Sequence, residues 1–319
     1  MKQFDVTALG ELLIDFTENG LSNQGNYLLE ANPGGAPCNV LAMLAKLGKK
    51  TAFIGKVGDD FLGRHLKDVV EAVGIDTRNL LLDDQVHTTL AFVHTYPDGD
   101  RDFSFYRNPG ADMNLRAQEI DGELIAQSKI FHFGSLSLTH PGVREATKKA
   151  LAIAKEQGCL ISYDPNLRPP LWNTLEEAKE QIAFGMTQCD IMKISDNEIQ
   201  WFTGEEDYDA GIRILQETYH IPLILLSMGR DGSRAYYKGM KVEVAPFLQE
   251  NTIETTGAGD TFCACVLGYV LDHGLDALTE QDLQAMLRYA NAAASLITTR
   301  KGALRVMPSR EDVAQLLGC

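Results

Sequence analysis

Short apolar runs alternate with stretches of helical periodicity along most of the chain. Candidate strands fall at residues 5–9, 51–57, 129–134, 159–163, 190–194 and 223–228. Between or after them lie helical patterns near 37–47, 61–73, 143–157, 175–184, 209–219 and 283–298. Leu-Ile-Leu-Leu (223–226) and Cys-Leu-Ile-Ser-Tyr (159–163) carry no polar face, as expected of central parallel strands covered on both sides. This alternation predicts an α/β fold, a doubly wound and mainly parallel sheet flanked by helices. Ligands of such a sheet sit at the C-terminal ends of its strands.

Two regions, about 12–33 and 88–107, break the rhythm. Thr89-Leu-Ala-Phe-Val-His-Thr-Tyr96 and Arg101-Asp-Phe-Ser-Phe-Tyr106 alternate around Pro97-Asp-Gly-Asp100. Alternation about an Asp-Gly turn reads as a hairpin, so a small antiparallel β lid is expected beside the core. With no internal repeat and no long linker, residues 1–319 are expected to form one domain.

Composition narrows the function classes. Lys+Arg total 29 against 44 Asp+Glu, a net charge of 29 − 44 = −15. Such a surface disfavours nucleic acid and anionic membranes. A phosphate ligand would have to be held by local geometry. No apolar run approaches a membrane span, the N-terminal residues lack a signal-peptide pattern, and the six cysteines are scattered, with Cys263-x-Cys265 unmatched by a second pair. A cytoplasmic location with reduced, structural cysteines is the expectation.

The strongest chemical signal is Glu254-Thr-Thr-Gly-Ala-Gly-Asp260, which leads into the apolar run 261–271. Gly257, Ala258 and Gly259 let backbone N–H groups at a helix start approach an anion closely. An aspartate there would repel a phosphate, unless it removes a proton from an attacking hydroxyl. The segment therefore suggests phosphoryl transfer to an alcohol. A glycine-rich turn with Asp260 as a helix cap is the structural alternative.

Other segments add polar groups at strand ends. Gly34 and Gly35 precede a helix that carries Asn39 in its first turn, and Asp15 follows the first strand pattern; together they could bind the hydroxyls of a diol, or form a tight turn with Asn39 as a cap. Arg168, in Tyr163-Asp-Pro-Asn-Leu-Arg168, could hold a phosphate or sugar oxygen, or pair with Asp164. Lys193-Ile-Ser195-Asp-Asn-Glu198 has capping-box spacing; alternatively, Glu198 orients a water on Mg²⁺ and Lys193 meets a phosphate. Ser227-Met-Gly229-Arg-Asp-Gly232 would suit a nucleotide loop. The chain has no Walker-type phosphate loop, no complete dinucleotide fingerprint and no His-Glu-x-x-His, which disfavours P-loop kinases, dehydrogenases and metallohydrolases.

In this order, the segments resemble the ribokinase-like carbohydrate kinases, or phosphofructokinase-B type, over essentially the whole chain. Gly34-Gly-Ala-Pro-Cys-Asn39 and Thr255-Thr-Gly-Ala-Gly-Asp260 are the most specific. With Asp164-Pro-Asn-Leu-Arg168 and Phe105-Tyr-Arg107, they look most like the bacterial fructokinases. The resemblance implies a kinase that uses ATP and Mg²⁺ to phosphorylate a small sugar, most like D-fructose going to fructose 6-phosphate. 2-Keto-3-deoxygluconate kinase and aminoimidazole riboside kinase share the scaffold, and a catalytically silent regulatory homologue is the reading from another class.

It further implies Asp260 as general base, with the amides of Gly257, Ala258 and Gly259 as the anion hole. Asp15, Gly34, Gly35 and Asn39 would bind sugar hydroxyls, with Arg107 and Arg168 at the rim. Lys193, Ser195, Ser227, Gly229, Gly232 and Asn291 would lie around the nucleotide and Glu198 near Mg²⁺. Glu254, Thr256, Arg300 and Gly302 fall where the family binds a monovalent cation such as K⁺. Two positions depart from the family pattern: Ser195 replaces the usual Asn, and Glu254 the usual Asp. A homodimer paired through the lid is expected from its free strand edges.

Overall fold

The structure, a computed structural model, describes residues 2–95 and 101–318. Its strands are β1 (Phe4–Leu9), β2 (Leu13–Leu21), β3 (Tyr27–Gly34), β4 (Thr51–Gly58), β5 (Ile75–Asp83), β6 (Leu90–Thr95), β7 (Arg101–Tyr106), β8 (Ser128–Gly134), β9 (Leu160–Asp164), β10 (Ile191–Ser195), β11 (Leu223–Ser227), β12 (Ser233–Tyr237) and β13 (Met240–Val244). The helices are α1 (Ala36–Lys46), α2 (Phe61–Ala72), α3 (Gly122–Ala126), α4 (Pro141–Glu156), α5 (Leu175–Met186), α6 (Asp196–Thr203), α7 (Tyr208–Tyr219), α8 (Ala258–His273), α9 (Glu280–Ile297) and α10 (Arg310–Leu317).

Among the described residues, nine strands form one sheet in the order β13-β12-β11-β10-β9-β8-β1-β4-β5. The run from β11 to β5 is parallel, and β12 and β13 add an antiparallel edge. The period-2 alternation of each strand divides its side chains between two cores. In β11, Leu223 and Leu225 join the core with α1, α8 and α9, whereas Ile224 and Leu226 join the one with α4 and α5. Both faces are therefore apolar, and the continuous apolar runs follow from that. On the α4 side, Phe133 stacks on Tyr163 with ring centroids 4.6 Å apart.

All six predicted strands and six predicted helices occur, with ends shifted by up to three residues. Strands β5, β12 and β13 belong to the same sheet but were not expected. β5 mixes buried and exposed positions without strict alternation, and β13 is a half-exposed edge strand.

The second sheet has the order β3-β2-β6-β7 and comes from the two regions where the alternation fails. β2 pairs antiparallel with β3 and β6 with β7, but β2 and β6 run parallel. The turn expected at 97–100 lies outside the described residues. Asp15 does not follow the first strand: the chain breaks after Leu9, and Asp15 lies within β2, opposite Asn32. A core-strand position and a lid-strand position are indistinguishable by local apolar pattern, so only strand pairing separates them.

Candidate active site

A cavity of about 750 Å³ lies between the C-terminal ends of β9, β10 and β11, the start of α8 and the lid strands. That volume is ordinary for a small-molecule site. Fifteen expected residues line it: Asp15, Gly35, Asn39, Arg168, Lys193, Ser195, Glu198, Ser227, Gly229, Glu254, Thr256, Gly257, Gly259, Asp260 and Gly302.

One corner of the cavity is built by the start of α8. Gly257 caps it at φ 76°, a left-handed conformation that favours glycine, and a Cβ there would lie 2.8 Å from Ala303 Cβ. The next turns (Phe262, Cys263, Ala264, Cys265, Val266) are buried, which explains the apolar run after the motif. Gly259 lies close to the Lys193 ammonium, where an added Cβ would come within 3.1 Å of Nζ. Lys193, on β10, is also 3.1 Å from Asp164 Oδ2 at the end of β9. Burial would pull the Lys193 ammonium down, but Asp164, Glu198 and Asp260 more than offset it and hold its pKa above the usual range. A fixed positive charge beside a helix N-terminus is an anion site, and a terminal phosphate fits it.

Asp260 is in the first turn of α8, and its Oδ2 accepts a 2.8 Å hydrogen bond from Asn39 Nδ2. Burial raises its pKa against the opposing effects of the Asn39 amide, Lys193 and Arg168. A carboxylate so placed is a stronger base than an exposed one. Asn39 belongs to α1, whose first residues are positioned by Gly35 and Glu11. Gly35 has φ 128°, and a Cβ on it would overlap the Glu11 carbonyl. The Glu11 carboxylate accepts from the Ala36 amide at 2.9 Å.

Asp15 faces the cavity from β2. Burial pushes it up to about 7, with Arg168 opposing and Glu254 and Asp260 reinforcing the rise. Gly34 does not line the cavity, but a side chain there would collide with Asp15 Oδ2. Its role is to leave room for that carboxylate.

Ser195 and Glu198 form the capping box of α6. Ser195 N–H and Oγ–H both donate to Glu198 Oε2 at 2.8 Å, while Leu167 N–H donates to Oε1 at 2.7 Å. These bonds, with Lys193 nearby, outweigh burial and keep Glu198 below the ordinary range. Glu198 thus caps the helix and also faces the cavity. Asp164, the alternative partner for Arg168, pairs with Lys193 instead. Glu198, which lines the cavity from the first turn of α6, is the carboxylate that would face a hydrated Mg²⁺ carried on phosphates.

Six expected residues are held away from the cavity lining: Gly34, Ala258, Arg107, Gly232, Asn291 and Arg300. Arg107 is buried and aims its guanidinium at Asp112 Oδ2 (2.6 Å), Thr139 Oγ1 (2.9 Å) and the Leu136 carbonyl. Asn291 accepts from Ser233 Oγ and donates to the carbonyls of Val244 and Ala245, fastening the end of β13. Gly232 packs against that same end, where a Cβ would overlap the Val244 carbonyl. Arg300 bonds the Val306 carbonyl and Asp312. The Ala258 N–H bonds back to the Thr255 carbonyl at 3.2 Å. Near the expected cation position, Glu254 Oε1 accepts the Gly302 N–H at 2.5 Å.

Glu11, Asn32 and Trp201 are among the lining residues that were not anticipated. Glu11 is a lone acid within the apolar run 8–14, a signal that could have been noticed; burial pushes it up to about 7. Asn32, across from Asp15, donates to Thr17 Oγ1 at 2.9 Å. Trp201 lies three residues beyond Glu198 on α6.

Comparison with known proteins gives this geometry its context. The chain is 41% identical over 307 residues to probable fructokinase-2 of Arabidopsis thaliana, covering 95% of this chain and 93% of that one. The structure superimposes with a TM-score of 0.90 on a fructokinase with bound ATP from Xylella fastidiosa, at 29% identity and with 100% and 99% of the two chains covered. For a fructokinase from Vibrio cholerae bound to fructose, ADP and calcium, the TM-score is 0.86 at 27% identity, covering 98% and 99%. The model of the pfkB family carbohydrate kinases matches residues 3–310, and this chain belongs to that family.

Proposed function

We propose that this chain is an ATP-dependent fructokinase that transfers the γ-phosphoryl group of ATP to the primary 6-hydroxyl of D-fructose. The observation that carries the reading is Asp260, a half-buried carboxylate at the N-terminus of α8 with Asn39 on one side and the Lys193 ammonium nearby. Asp260 takes the hydroxyl proton as the sugar oxygen bonds to the γ-phosphorus, and the bond from that phosphorus to the β–γ bridging oxygen breaks. Lys193 and the amides of Gly257 and Gly259 stabilise the charge on the transferring group. Asp15 and Asn39 hold the sugar, and Ser227 and Gly229 lie on the nucleotide side. Glu198 would meet a hydrated Mg²⁺ through water, and the ion would supply charge neutralisation of the phosphates. The lid strands exclude water, which protects ATP from hydrolysis by the same base.

The choice of fructose over an acidic sugar rests on the arginines. A carboxylate-bearing substrate such as 2-keto-3-deoxygluconate gains from a bidentate arginine. Arg107 is committed to Asp112, which leaves Arg168 as the arginine facing the cavity among the described residues. A coupled ATP-consumption assay with fructose, 2-keto-3-deoxygluconate and aminoimidazole riboside tests this. We expect kcat/KM for fructose at least about tenfold above the others, equivalent to about 1.4 kcal/mol in transition-state binding. The reverse order would overturn fructose and leave the kinase standing; no turnover of any sugar would remove both.

Two further features belong to the same reading. A K⁺ ion beside Glu254, Thr256, Arg300 and Gly302 would order the loop after α9; Glu254 already ties that loop through Gly302, so activation by K⁺ should be weak. Pairing of two copies through the lid is supported by the exposed Leu21, Tyr27, Leu28 and Leu29 on β2 and β3.

A further inference from the structure

We infer that Asn39 is the positioning residue of the base, and that sugar binding and base orientation pass through this one amide. The inference rests on the kinase reading above. Asn39 is 4% exposed, and its two polar atoms have different fates. Nδ2 donates to Asp260 Oδ2 at 2.8 Å. Oδ1 is buried without a hydrogen-bond partner among the described residues. A buried acceptor left unmade costs free energy, and a ligand hydroxyl at the cavity wall would remove that cost. Holding Oδ2 with the amide leaves Oδ1 of Asp260 as the oxygen that receives the proton.

The support behind Asn39 is rigid. Its N–H donates to the Gly35 carbonyl at 2.9 Å, and the first turn of α1 is clamped by the Glu11 carboxylate on the Ala36 amide. The Gly35 and Glu11 backbones approach so closely that a Cβ on Gly35 would overlap the Glu11 carbonyl. The amide thus arrives at Asp260 from a different helix, 221 residues earlier in the chain. The charged groups that bear on Asp260 are Asp15 from β2, Asp164 at the end of β9, Arg168 after it, Lys193 from β10, and the Cys263 thiol of α8 itself. None of these donates to Oδ2 in place of Asn39.

The test separates the two sides of the amide. Asn39→Asp is isosteric: it keeps an acceptor toward the sugar and replaces the donor toward the base with negative charge. Asn39→Ala removes both. For Asn39→Asp, we expect kcat to fall about 10-fold to 100-fold while the sugar KM changes less than about threefold. The acid limb of the kcat profile should move up by about one unit or more, because a like charge beside a carboxylate favours its protonated form. Asn39→Ala should lower kcat and also raise KM. Binding of a non-hydrolysable ATP analogue reports whether each variant is folded. Should Asn39→Asp not fold, Asn39→Ser removes the donor to Asp260 without adding charge, and its acid limb should still move up because the amide that lowers the Asp260 pKa is gone. A folded Asn39→Asp or Asn39→Ser with an unmoved acid limb, and with its whole defect in KM, would overturn the inference. Absence of turnover in the wild-type chain would instead overturn the kinase reading.

Discussion

Lys193 Nζ lies 3.1 Å from Asp164 Oδ2, and the two side chains are only 8% and 3% exposed. Asp164, Glu198 and Asp260 all act on that single ammonium. It is therefore both the balancing charge of a carboxylate cluster and the positive group of the phosphate corner.

Replacing Lys193 with Met should expose this double role. Removing one partner of a buried pair typically costs about 3–5 kcal/mol, so the melting temperature should drop clearly. ATP affinity should fall more than sugar affinity, and the loss of stability should ease as pH is lowered and the carboxylates protonate. A variant with normal ATP affinity would show that Lys193 serves the fold alone.

Asp260→Asn keeps the shape of the site and removes the base. Turnover should fall by roughly 10²–10⁴ or more, while equilibrium binding of ATP and sugar stays close to that of the wild type. Near-normal turnover in a folded Asp260→Asn protein would mean that another group takes the proton.

The raised pKa of Asp15 predicts opposite pH trends for stability and sugar binding. The apo fold holds a proton on Asp15 up to about pH 7, whereas the unfolded chain releases it near 3.8. Folded protein thus binds more protons across this window, and this contribution to stability falls as pH rises from about 4 to 7. Sugar binding needs the ionised form as an acceptor, so the sugar KM should be roughly tenfold higher at pH 6 than at pH 8. Asp15→Asn should raise KM and flatten its pH dependence. An equally steep profile in that variant would assign the effect to Glu11, which burial also pushes up to about 7.

Glu198→Gln tests a residue with two jobs. Its carboxylate closes the capping box of α6 and receives the Leu167 amide, so the variant should melt about 1 kcal/mol less stable, as a weakened cap does. It should also need more Mg²⁺ for half-maximal rate. A lower melting temperature with an unchanged Mg²⁺ titration would leave only the structural role.

The β-α alternation, the lid regions and the start of α8 at Ala258 were legible because each is a local property. A strand covered on both faces needs a continuous apolar run, and a helix start at an anion needs small residues. The eight-residue α10 offers barely two turns, and the half-exposed β13 lacks an apolar run; periodicity missed both, whereas the capping-box spacing of Ser195 and Glu198 marked the start of α6. Most of the residues that the sequence singled out also line the cavity, but what each one touches there was not legible. Arg107 and Arg168 look equivalent as residue types at the ends of polar motifs. Only the tertiary structure sends the first into a buried pair with Asp112 and leaves the second facing the cavity. The same holds for Asn39, read as a sugar ligand but bonded to a base on a distant helix, and for Asp15, which lies in a lid strand. Hydrogen bonds and ion pairs are settled by which groups lose water together, and that depends on packing between elements far apart in the chain.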